Sequence, residues 1–392
     1  MTTVFLFHNN RFFDTDGWHV KSAETSQAST MITVFAVQWM MPLFFILSGI
    51  GSYHALAHQR WPQYLGSRVK RLLVPLLFGI FVIIAPLQVY LERITHNQFE
   101  GSFWSFYPHY FEGWFGIGTG NFAWMGVHLW YLEFLFVFSI ITLPLFLYLR
   151  SASGSRIVGM LARFLSRPWM IFLLALPIAI MEFIAALPPI HDSLFGNRDF
   201  GGWSTLPYLT MLIIGYVLAT DEGPTKAMER HRVPALLAGI ITFVLGYLAY
   251  MGTKQWPLVP RELLMSFIRG ILCWSWLVAI CGFAGRYLRF SNSFLKYANE
   301  AVLPFYILHQ VVILCVGFYV LRLHTHLWLE YLVIVTISFA AIMGMYELFI
   351  RRVNVLRVLF GMKAIRRVQP IPVTPSSIGL RTATGNGGQN VR

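Results

Sequence analysis

Four short stretches of this 392-residue chain place ionisable side chains in or beside apolar runs. An unpaired charge is expensive there, so its retention points to function. The first stretch, FHNNRFFDTDGWHVKSAE, carries His8 and His19. An imidazole titrates near neutral pH and can take a proton from a hydroxyl. Helix capping or an interfacial position is the plainer reading of either histidine taken alone. The second stretch is MPLFFILSGIGSYHAL followed by RVKRLLVPLL. Ser48, Gly49, Gly51 and Ser52 are small enough to let helix backbones approach closely. Arg68 and Arg71 stand one helical turn apart, which lets both guanidinium forks face one anion, such as a phosphorylated donor. Anchoring of a membrane helix by positive charge explains the same pair.

The third stretch, VHLWYLEFLF, opens a helix with His128 and sets Glu133 one and a half turns inside it. A carboxylate at that depth must be neutralised or paired. Trp130 and Tyr131 also suit an interfacial aromatic belt. The fourth, ANEAVLPFYILHQ, gathers Asn299, Glu300 and His309 around Pro304, which would free a backbone carbonyl close by. Glu182, Arg269 and Glu347 are further charges within apolar runs, without assignable partners.

The elements that hold these groups follow from composition. With 56% hydrophobic and 12% charged residues and a mean hydropathy of +0.60, the chain has too few charges to cover a water-soluble globule. It reads as an all-α, polytopic transmembrane bundle whose surroundings are the lipid bilayer, and nucleic acid is not an expected partner despite a net charge of +13. Apolar runs predict nine spans, at about 31–53, 72–91, 127–148, 169–187, 206–219, 233–251, 263–283, 301–321 and 327–350. Of the 30 Lys and Arg residues, 22 fall in the segments 54–71, 150–168, 220–232, 284–299 and the tail from Arg351. Only 7 fall in the alternate segments, and Arg269 lies within a span. Because cytoplasmic loops retain positive charge, the C-terminus is expected in the cytoplasm and residues 9–30 outside it.

That orientation asks for a helix before residue 9. Thr2 to Phe13 is too short to cross a bilayer, which takes about 20 residues. The expectation is a truncated first helix of a ten-helix architecture, with a start codon placed too far downstream or the inner half of the helix absent. Residues 1–363 form one transmembrane domain. The segment 364–392 has the Pro, Ser, Thr and Gly content of a disordered tail.

Several chemistries lose support. Cys273, Cys281 and Cys315 lie in apolar runs without CxxC spacing, so neither a disulfide framework nor a zinc site is indicated. There is no Walker loop, GxSxG elbow, GxGxxG turn or HExxH helix. No metal and no tightly bound cofactor are expected.

Taken in order, FH…WHVKSAE, MPLFFILSG, RVKRLLVPLL, HLWYLEFLF, NEAVLPFYILHQ and the basic end YELFIRRVNVLRVLFG resemble the membrane-bound acyltransferase family 3. Within it they resemble the branch that acylates periplasmic glucans. The resemblance extends to about Lys363. It implies an O-acyltransferase of a bacterial inner membrane, with acyl-coenzyme A as donor and an extracytoplasmic glycan or other hydroxyl compound as acceptor. The family pattern of an Arg, ten residues and a His puts His8 at the catalytic histidine, while the Arg position falls before Met1. The resemblance implies His8 as general base, with Glu133 and His309 beside it in the catalytic set. Arg68 and Arg71 become donor-binding residues. His19, Ser48, His128, Trp130 and Asn299 are the substrate-pocket candidates. A lipid or sugar transporter and a non-catalytic relative are the competing classes; a transporter should show paired repeats and broken helices in both halves, which the sequence lacks.

Overall fold

A computed structural model describes residues 1–116, 119–188 and 190–365. The expected tail therefore lies almost wholly outside the described residues. The fold is all-helical apart from one isolated bridge between Trp114 and Phe122. Six helical units are long and apolar enough to cross a membrane: Gln27–His58, Trp61–Thr95, Glu222–Gly252, Leu258–Tyr287, Ser293–Leu323 and Leu327–Ile350. Val127–Ile141 and Leu143–Leu149 form a seventh only if the bent pair is one span, and Met170–Ala186 and Thr205–Leu218 are apolar but shorter.

The N-terminal part begins with α1 (Thr2–Asn10), short but packed against α2 (Gln27–Val37), α15 (Ser293–Val320) and α16 (Leu327–Met345). The chain beyond α1 stays inside the fold. Phe12 and Phe13 are fully buried, and a Cβ on Gly317 of α15 would fall 2.2 Å from the Phe12 ring. Buried Asp14 accepts from Arg11 (2.5 Å), Lys21 (2.8 Å) and Thr33 (2.9 Å), so its charge is compensated as burial requires.

Helix α3 (Met40–His58) carries the small-residue stretch and crosses α12 (Thr205–Leu218). A Cβ on Gly49 would fall 2.1 Å from the Leu212 carbonyl oxygen, and one on Gly215 would fall 2.1 Å from that of Ile46. Backbone approach this close is what small residues permit between membrane helices. Gly51 takes no part, since nothing lies within 4 Å of its Cβ position.

A π-turn, Val69–Leu73, separates α4 (Trp61–Arg68) from α5 (Val74–Phe81), and the Val74 N–H donates to Val69, five residues back. Pro75 explains it: with no N–H, it cannot continue the i−4 ladder. Helix α6 (Ile84–Thr95) follows a break at Val82 and Ile83, and short α7 (Phe103–Phe106) lies in the long loop after it. The 127–148 run, expected as one span, bends by 51° between α8 (Trp130–Ile141) and α9 (Leu143–Leu149). Pro144 removes the donor that would bond the Ile140 carbonyl, and Thr142 Oγ1 donates to the Phe138 carbonyl at the bend.

Amphipathic α10 (Ala152–Leu165) leads to α11 (Ala175–Ala186), which packs on α14 (Leu258–Tyr287), and α13 (Glu222–Gly252) also packs chiefly on α14. Short α17 (Asn354–Leu359) closes the described chain against α5.

Candidate active site

Loops and helices from both halves of the chain enclose a cleft of about 1280 Å³. Its walls come from α1 and the segment after it, from α2 and the start of α3, from residues 115–116 and 123–130, from the loop 191–202 and from α15. These are the segments expected to share one side of a membrane.

His8, His19 and His128 line this cleft together with His191, and His309 lies behind His8 and His128. His8 lines it from α1, and its ring centroid lies 5.0 Å from that of His309 on α15. His309 is in turn 4.9 Å from His128. His309 Nδ1 donates to the Tyr306 carbonyl at 2.5 Å, so its Nε2 carries a lone pair, buried and without a partner. His128 Nε2 lies 3.2 Å from the carbonyls of Tyr306 and Ile307, and its Nδ1 is 3.2 Å from the Gln88 side chain. The Tyr306 hydroxyl donates back to the His128 carbonyl at 2.5 Å. His128 owes its place to a turn in which Gly126 and Val127 both have positive φ, +72° and +58°. For a β-branched residue that backbone is costly, and such strain tends to be kept at functional sites.

His19 stands further along the same wall. Trp18 lies between it and His8, with ring centroids 6.1 Å from His8 and 5.7 Å from His19. His19 Nδ1 makes a short hydrogen bond to Glu92, and its Nε2 is 3.3 Å from the Gln310 side-chain nitrogen. Across the cleft Trp130 packs against Phe200 and Tyr208. Gly201, at φ +67°, is needed there because a Cβ would fall 3.0 Å from the Trp130 ring. The loop that bears Phe200 and Gly201 is held by buried Glu182, which pairs with Arg269 (2.5 Å) and Arg198 (2.9 Å) and accepts from Ser204 (2.9 Å).

The remaining expected residues lie elsewhere. Glu133 makes no hydrogen bond or ion pair to any histidine among the described residues, and its Oε2 is buried without a partner. Ser48 bonds the Tyr131 hydroxyl at 2.6 Å inside the bundle. Arg68 donates to Ser52 at 3.1 Å and stacks over Tyr64, whereas Arg71 lines a second cavity of about 310 Å³ with Asn299, Glu300, Arg357 and Lys363. The one-turn spacing expected to aim both guanidiniums at one anion assumes a regular α-helix. The π-turn between them changes the angle, so Arg68 points to α3 and Arg71 to the cavity. Glu92 and Gln310 were not expected at the site. Glu92 falls one residue beyond the predicted span, and its partner is 73 residues away in sequence.

The profile of the acyltransferase 3 family, described as an acyltransferase domain, matches residues 1–347. The chain belongs to this family. Among curated proteins, this acyltransferase is 26% identical to the glucans biosynthesis protein C of Escherichia coli K12 over 369 residues, 92% of this chain and 91% of that protein. The proteins of the same name from Escherichia coli O157:H7 and O139:H28 are 26% and 25% identical over the same shares. No solved structure matches. The family reading as an O-acyltransferase, carried by apolar helices, agrees with these findings. Among the described residues no group of three or more His, Cys, Asp or Glu is arranged to hold a metal ion.

Proposed function

We propose that this acyltransferase moves an acyl group of the acetyl or succinyl type from cytosolic acyl-coenzyme A to a hydroxyl of an extracytoplasmic glycan. In this reading all nine apolar helical units cross a bacterial inner membrane, with the C-terminal end in the cytoplasm. The observation that carries it is the layout of α15. Asn299 and Leu303 line the Arg71 cavity, while Tyr306 and Gln310, just beyond Pro304, line the histidine cleft. At about 1.5 Å per residue, Leu303 and Tyr306 are only about 4.5 Å apart along the helix. A basic cavity and a histidine cleft thus approach each other within one turn.

His8 serves as the base. Its imidazole takes the proton of the acceptor hydroxyl as the oxygen bonds to the thioester carbonyl carbon. The carbon–sulfur bond then breaks, sulfur leaves with the electron pair, and the proton passes to it to give the free thiol. A thiolate leaves readily, so the protein must chiefly position two reactants and hold one proton. His309 backs the His8 ring and His128 backs His309, both bonded to Tyr306. Arg71 suits a phosphate of the donor, since charge-assisted contacts to phosphate are among the stronger hydrogen bonds.

Membranes containing the protein, given radiolabelled succinyl- or acetyl-coenzyme A and a glucan, should yield labelled glucan. His8→Ala should lower the rate about 100-fold or more, as expected for loss of a general base. Near-wild-type transfer by His8→Ala would overturn the assignment of the base. Absence of any acyl transfer or thioester cleavage by the wild type would favour a non-catalytic or transport role.

A further inference from the structure

Besides the His8 and His309 rings, one side-chain acceptor at the cleft, Gln310 Oε1, is buried without a partner. Glu92, beside Arg93 and bonded to His19, acts as a carboxylate and can only accept, so His19 Nδ1 donates to it. In the tautomer with its ring proton on Nδ1, His19 offers a lone pair at Nε2, which calls for a donor. The Gln310 side-chain nitrogen, 3.3 Å away, supplies it. With the carboxamide turned this way, Gln310 Oε1 is left buried without a partner in a residue only 2% exposed. Gln310 lines the same cleft as His8, Trp18 and His19. Buried acceptors are nearly always paired, and one left open beside a cleft points to a ligand that fills it.

We propose that Gln310 is a specificity residue of the acceptor site: its Oε1 accepts a hydrogen bond from a second hydroxyl of the saccharide whose reacting hydroxyl lies at His8. His19 and Glu92 are positioning residues that keep the carboxamide turned this way. Helix α6 therefore orients the cleft twice, one turn apart, through Gln88 toward His128 and through Glu92 toward His19. The inference rests on the reading of the cleft as the glycan site. It adds that the site requires a hydroxyl donor beside the reacting group, so a saccharide with that hydroxyl removed or methylated should bind poorly. A site built to bond a hydroxyl rejects the analogue lacking it, because the buried group is then left unpaired.

Calorimetric binding of methyl glucoside and its monodeoxy and mono-O-methyl analogues to the detergent-purified, full-length protein tests this directly, without a donor. One position should weaken binding about tenfold or more when the hydroxyl is deleted or methylated. Gln310→Leu should erase the difference between parent and analogue. Glu92→Leu should shrink it, whereas Glu92→Gln, whose carbonyl still accepts from His19 Nδ1, should preserve it. That rescue separates positioning from general damage to the fold. Equal binding of all analogues, full discrimination in Gln310→Leu, or no glucoside binding by the wild type would each overturn the inference. Binding that discriminates as expected, with no acyl transfer in the labelled-donor assay, would instead overturn the proposed reaction and leave the subsite standing.

Discussion

The histidine cleft and the Arg71 cavity touch the same helix but are built in opposite ways. In the cleft, His128 and His309 are held by backbone carbonyls and Gln88, His19 is held by Glu92, and one wall is clamped by a buried carboxylate between two arginines. In the cavity, Arg71 and Asn299 are exposed, and the ion pair present, Arg357 with Glu300 at 2.9 Å, leaves Glu300 38% exposed. Pre-organised groups suit chemistry, where a displacement of about 1 Å can cost 100-fold. Exposed cations suit capture of a charged ligand, where reach and charge matter more than rigid placement.

The sharpest way to break this contrast is to unclamp the cleft. Glu182→Ala leaves Arg269 and Arg198 facing each other without their shared carboxylate, and should cost about 3–5 kcal/mol of stability. Glu300→Ala in the cavity should cost less, about 1–2 kcal/mol, because Glu300 is partly solvated and Arg357, only 9% exposed, still donates to the carbonyls of Arg351 and Lys363. Thermal unfolding of the two purified variants makes the comparison, and equal losses would remove the distinction between a rigid and an open site. Next in size, His309→Leu should lower kcat for transfer about 10- to 100-fold by loosening the ring behind His8, with little change in donor KM. Arg71→Gln should do the reverse. Donor KM should rise about tenfold at low salt and less at high salt, because the lost contact is a screened charge interaction. The smallest effect belongs to Glu133→Gln, expected to stay within about twofold of wild type in rate, since Glu133 meets none of the histidines. A loss of 100-fold there would return Glu133 to the catalytic set.

Sequence reasoning located the histidines because their type and depth are visible residue by residue. His8, His19, His128 and His309 stand out in apolar surroundings, and the structure brings the first three to one cleft with His309 packed behind them. Pairings were another matter. Glu92 with His19, and Glu182 with Arg269 and Arg198, join residues 73, 87 and 16 positions apart, which no local spacing reveals. The Arg68 and Arg71 pair shows the converse failure. Its spacing suggested a shared face, and Pro75, four residues beyond Arg71, carried the signal that the helix would not stay regular. Pro144 gave the same warning for the bend between α8 and α9. Helix existence was legible in all nine apolar runs, while membrane-crossing length was met outright by only six helical units.

The division of labour between cleft and cavity is tested most directly by sidedness. Vesicles of known orientation can be loaded with labelled acyl-coenzyme A on the side of Arg71, with glucan supplied only on the side of His8. Labelled glucan should accumulate on the His8 side, and should fail to form when the donor is confined to that side instead. Equal labelling with the donor on either side, or labelling only when donor and acceptor share a compartment, would contradict a transfer that runs from the basic cavity to the histidine cleft.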